Sequence, residues 1–169
     1  MQKGKTNRIA LYGMLIAAAM ILSYIETFIP VFAAVPGMKI GLANIVVVFA
    51  LYSMGTKQAA AISAVRILLV AFSFGNLFSM AYSLAGAVLS LAVMALMKKS
   101  GAFGVAGVSV AGGVCHNIGQ LILAAFLLET SRLMYYLPFL IISGAVSGTA
   151  IGILAAVVIK RMNKNNSSE

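Results

Sequence analysis

A membrane-embedded charge has to be used or neutralised, and this chain buries several ionisable residues in apolar sequence. Glu26 sits near the end of its first apolar stretch, Lys39 opens the second with Asn44 just beyond it, and Arg66 lies in the middle of the third. His116 and Gln120 fall four residues apart in the fifth, which puts them on one face of a helix. An ionisable group at a helix centre costs roughly 2.5–3.5 kcal/mol on insertion scales, so such residues are functional candidates by default. Their cations, Lys39, Arg66 and a protonated His116, outnumber the single acid Glu26. That set suits an anionic or hydrogen-bond-accepting small molecule. Each residue also has a structural reading. Lys39 can snorkel to an interface, Arg66 can pair with Glu26, and His116 can serve as an interhelical hydrogen bonder.

Composition narrows the chemistry further. Of 169 residues 62% are hydrophobic and 9% charged, against about a quarter charged in an ordinary globular chain. The mean hydropathy is +1.06. Twelve Lys and Arg stand against three acids, Glu26, Glu129 and Glu169, with no Asp at all. An Asp-rich magnesium site is therefore impossible, and no phosphate-binding Gly-rich loop with its Lys-Ser/Thr appears. The lone Cys115 excludes an internal disulfide or a thiolate metal cluster. With a single His besides, the expectation is no metal, no cofactor and no catalytic site. The net charge of +9 reads as membrane topology rather than as a nucleic-acid footprint.

The elements that carry these residues are transmembrane helices, each needing about 20 apolar residues. Six stretches qualify, some of them short: 9–29, 40–54, 58–74, 77–97, 105–128 and 138–159. The first is too long for the core of a signal peptide, and Glu26 lies near its far end. With the N-terminus inside, nine basic residues fall on the cytoplasmic side and only Lys39 and Arg132 outside. The expected fold is an all-α six-helix membrane bundle with both termini cytoplasmic. It comprises a basic segment 1–8, one transmembrane domain 9–160 and a disordered tail 161–169. The polar residues gather in the outer half and midplane, which describes a cup open to the outside. The outer connections 30–38 and 129–137 are longer than the inner turns.

Small residues mark where helices approach. Gly144, Gly148 and Gly152 form one stripe on the last helix and predict close packing within the bundle. Gly13, Ala17 and Ala18 make a small face on the first helix. It fits either packing within the bundle or docking against another membrane subunit.

The stretch Pro36-Gly37-Met38-Lys39-Ile40-Gly41-Leu42-Ala43-Asn44 resembles the signature of the Gx transporter family, also labelled heptaprenyl diphosphate synthase component I. Arg66-Ile67-Leu68, the Phe74-Gly75 turn and His116-Asn117-Ile118-Gly119-Gln120 fit it as well, over roughly residues 8–160. That family is in turn similar to the substrate-binding components of energy-coupling factor (ECF) transporters. The resemblance implies a plasma-membrane capture subunit whose pocket is lined by Lys39, Asn44, Arg66, His116 and Gln120. It implies a lid over 30–38, including Pro30, Pro36 and Gly37, and docking through Gly13, Ala17 and Ala18 to a transmembrane coupling protein that bears two ATPase subunits. A second reading, an accessory role in prenyl diphosphate or quinone biosynthesis, stays open beside it. A stand-alone secondary transporter fits less well, because no internal repeat is present.

Overall fold

The computed structural model describes the backbone of residues 2–28 and 41–166 and the side chains of residues 8–28 and 41–162. Its elements, in chain order, are α1 (Gln2–Glu26), α2 (Asn44–Ser53), α3 (Thr56–Ser73), α4 (Leu77–Ser100), α5 (Val105–Leu127), a 3₁₀ turn over Ser131–Tyr136, and α6 (Leu137–Asn166). Among the described residues five helices are long and apolar enough to cross a membrane; α2, at ten residues, is the short one. At 1.5 Å per residue α2 is about 15 Å long, half the hydrocarbon thickness.

The expected second span, 40–54, thus begins as a helix only at Asn44. Gly41 has φ +91°, a conformation that L side chains rarely adopt. The next backbone bonds run three residues back, from Asn44 N–H to Gly41 O at 2.8 Å and from Ile45 N–H to Leu42 O at 3.2 Å. This tight entry turn delays the helix and sets Asn44 on its first turn. Beyond it, Val46 through Leu51 are buried on every face of the helix. An apolar helix surrounded on every side belongs at the centre of a bundle. Leu15 and Ala19 of α1, Ala59 and Ile62 of α3, Met94, Val108, and Ile151 and Ala155 of α6 pack with it in one core.

A second cluster closes the other end. Leu133, on the 3₁₀ turn, is buried with Tyr82, Leu121, Ala124 and Leu140. The connection expected over 129–137 is therefore partly ordered by one inserted leucine. The tail is corrected too: α6 runs helical to Asn166, where composition suggested disorder from 161. Its last turns extend a helix already propagating, and propagation is easier than nucleation.

The glycine stripe of α6 lies directly on α5. A β-carbon at Gly144 would stand 2.8 Å from Gly113 O, at Gly148 2.7 Å from Val110 Cα, and at Gly152 2.7 Å from Ala106 Cα. These approaches run antiparallel, so the start of α5 meets the far end of α6. On the other side of α5, Gly112 faces Met94 and Gly119 faces the Ala85–Gly86 backbone. In lipid, such backbone-to-backbone contact is a principal source of helix affinity.

Alternation of helices sorts the charges. Arg8, Lys57, Lys98, Lys99, Lys160 and Arg161 all fall at the bundle end formed by the start of α1, the α2–α3 and α4–α5 turns, and the end of α6. Large apolar side chains face outward over the span between, including Ile21, Phe72, Val88, Phe126 and Val146.

Candidate functional site

Four helices deliver polar side chains, and one turn a main-chain N–H, to a common level. Ser23 and Glu26 are three residues apart and so share a face of α1. Arg66 reaches them from α3, its Nη1 donating to Ser23 Oγ at 3.1 Å. Arg66 and Glu26 are 5% and 4% exposed and attract each other electrostatically. The Glu26 carboxylate also accepts a hydrogen bond from the Gly41 main-chain N–H, joining the end of α1 to the entry turn of α2.

That turn carries the cluster across to α5. A β-carbon at Gly41 would lie 2.7 Å from Asn44 Nδ2 and 3.6 Å from His116 Cδ2, so Gly41, Asn44 and His116 meet there. His116 and Gln120 bond through their Nε2 atoms at 3.0 Å. Since the amide nitrogen can only donate, His116 Nε2 accepts, and this bonding assigns the ring proton to Nδ1. Nδ1 lies against the Gly86 main chain, a contact just short of good hydrogen-bonding geometry. Asn117, the next residue, faces α6 instead, donating from Nδ2 to Leu140 O at 2.9 Å.

Glu26, Asn44, Arg66, His116 and Gln120 are thus all buried and linked through Ser23 and Gly41. Lys39 and the lid residues Pro30, Pro36 and Gly37 lie outside the described residues. Gly13 and Ala17 are exposed, with no neighbouring side chain or packed helix among the described residues within 4 Å of a β-carbon at Gly13, whereas Ala18 packs on the core. The α1 small face therefore points largely away from the bundle.

Hydrogen-bonding capacity is left over in the cluster. Arg66 Nε and Asn117 Oδ1 have no hydrogen-bond partner among the described residues. Beside Arg66, a crevice of about 10 Å³ opens between α3 and α4, lined by Ser79 and Ser83 as well as Val70 and Met80. It has room for about one water molecule. Among the described residues no three His, Cys, Asp or Glu side chains come together as a metal site.

Helix α4 contributes Ser79, Ser83, Gly86 and Ser90 to its buried face, none of them among the residues expected at the site. Their spacing of four, three and four residues is a helical stripe, and that periodicity was the available signal. Gly86 has a definite task. A β-carbon there would stand 2.8 Å from both His116 Nδ1 and His116 O. Gly86→Ala should cost about 2 kcal/mol as an overpacking change. Thermal unfolding in detergent, followed by helical circular dichroism, checks it; an unchanged midpoint would show that His116 is not held against α4.

An all-helical, multi-pass membrane protein with a polar cluster enclosed by its helices is the class that this fold and site define. The chain belongs to the heptaprenyl diphosphate synthase component I family, whose model matches residues 15–158. No curated protein and no solved structure matches it.

Proposed function

We propose that this protein is a non-enzymatic capture subunit. It binds a small organic anion from outside the plasma membrane and passes it inward with an ATPase-driven coupling module. The observation that carries this reading is the buried convergence of Ser23, Glu26, Asn44, Arg66, His116 and Gln120 from four helices, with Arg66 Nε unpaired among the described residues. In the proposal six helices cross, both termini are cytoplasmic, and the cluster opens outward beneath 30–38. Lys39 and Arg66 hold the anionic group, while Asn44, His116 and Gln120 read polar edges of the ligand. The exposed Gly13–Ala17 face of α1 docks the coupling protein, as the likeness to ECF capture components implies. With no Asp in the chain, magnesium–diphosphate chemistry of the Asp-rich type is not assigned to it.

A second reading has its own support. The family's description points to prenyl diphosphate synthesis. A wholly apolar groove of about 290 Å³ lies between α1, α2 and α6, bounded by Met14, Ile45, Phe49, Val158 and Met162. Such a groove would suit a prenyl chain, and the protein would then be an accessory membrane component of a biosynthetic enzyme.

One experiment separates them. The full chain in mild detergent is screened by native mass spectrometry and thermal shift against vitamins, flavins, quinone precursors and prenyl diphosphates. A bound ligand raises the midpoint by mass action. The capture reading expects a water-soluble anion whose affinity falls about tenfold or more in Lys39→Ala and in Arg66→Lys, the size of a lost charge-assisted bond. Unchanged affinity in both variants would sink that assignment. Stabilisation by prenyl diphosphates alone would favour the biosynthetic role.

A further inference from the structure

At the basic end of the bundle a cleft of about 610 Å³ lies between the start of α3 and the last turns of α4, lined by Gly55, Thr56, Ala92, Leu96, Lys98 and Lys99. We propose that it holds an anionic phospholipid, its phosphate beside the lysines and its acyl chain along α4. The geometry of α4 sets this up. Ala92, Leu96 and Lys99 follow at four and then three residues, one stripe of the helix that passes from apolar surface to an ammonium group. Leu96 is 68% exposed on that stripe.

The two lysines differ in what holds them. Lys98 Nζ donates to Leu51 O at 2.5 Å and sits 5.0 Å from the centre of the Tyr52 ring, which fixes it on the cleft wall. Lys99 is exposed and makes no hydrogen bond or ion pair among the described residues. Lys57 adds a further positive charge next to Thr56. The start of α3 has no side-chain cap, so its first N–H groups favour the same negative partner.

Charge balance says where that partner comes from. The chain has three acids: Glu26 and Glu129 lie toward the opposite end, and Glu169 is the last residue. No described acid is present to neutralise Lys98 and Lys99. A soluble anion could supply charge alone. The apolar ramp of Ala92 and Leu96 immediately deeper in the membrane is matched only by an anion attached to a hydrocarbon chain.

The test uses native mass spectrometry of the full chain in mild detergent, titrated with phosphatidylglycerol or phosphatidylcholine. Phosphatidylglycerol should be retained preferentially. Lys99→Gln should weaken its retention about fivefold, the share of one lysine near an anionic surface. Lys160→Gln removes equal charge outside the cleft and should leave retention unchanged. Soluble glycerol phosphate at matched concentration should not displace the lipid. Equal retention of the two lipids, equal losses in the two variants, or displacement by glycerol phosphate would each overturn the proposal. Lys99 is solvent-exposed, so Lys99→Gln should melt like the parent without lipid; Lys98→Gln is avoided because it also removes the bond to Leu51.

Discussion

Arg66→Met should destabilise the bundle by about 3–5 kcal/mol, the range for stranding one member of a buried charged pair. Arg66 is buried, donating to Ser23 and attracted by Glu26. Methionine has a similar reach but no charge, so the substitution removes the Arg66 charge that attracts the Glu26 carboxylate. Glu26→Gln in the same chain should recover most of the loss, because a neutral amide needs no counter-charge. The measurement is a double-mutant cycle by reversible unfolding in mixed micelles, which isolates the coupling from the two single changes. A double variant as unstable as the sum of the singles would mean that the two residues do not act together. The Arg66→Lys variant used for ligand binding keeps the charge, so loss of affinity with retained stability is distinguishable from loss of fold.

The second large effect belongs to the seam between α5 and α6. Gly148→Leu places a side chain where a β-carbon alone would stand 2.7 Å from Ser109 O and from Val110 Cα. Both obstacles are backbone, which cannot swing aside as a side-chain tip can. The expected cost is about 3 kcal/mol, the upper end for overpacking, with loss of the monodisperse species on size exclusion. Gly13→Ala is the contrast. Among the described residues no packed neighbour lies within 4 Å of its β-carbon, and alanine is the better helix former by roughly 1 kcal/mol. It should be neutral or slightly stabilising in the isolated chain. If both variants behave alike, close approach is not what holds α6 on α5.

Much of this architecture is legible in the sequence, for identifiable reasons. Long apolar runs place α1, α3, α4, α5 and α6 to within a turn or two at most ends, because hydrocarbon thickness fixes a minimum length. The cost of burying charge singles out Glu26, Arg66 and His116, and it also makes them seek one another. Depth alone brings Asn44 and Gln120 to the same level. What composition could not supply is partner identity. Ser23 and Ser79 look like any hydroxyl in a lipid-facing helix, and Gly86 looks like another packing glycine. Only the approach of α5 shows that Gly86 makes space for His116. The short α2 was obscured for a similar reason. Ile40 through Met54 is apolar apart from Asn44 and Ser53, and hydropathy carries no trace of the positive φ at Gly41.

The pairing of Glu26 with Arg66 also bears on how the chain enters the membrane. Synthesis proceeds from the N-terminus, so α1 and α3 emerge well before α5. During that interval His116 and Gln120 are not yet made, and a lone arginine at a helix centre carries an insertion cost of roughly 2.5–3.5 kcal/mol. Glu26 and Ser23 lie on α1, so the partners of Arg66 are already available when α3 arrives. The first half of the protein can therefore bring Arg66 into the bilayer beside an opposite charge and wait for the glycine-lined half to close against it.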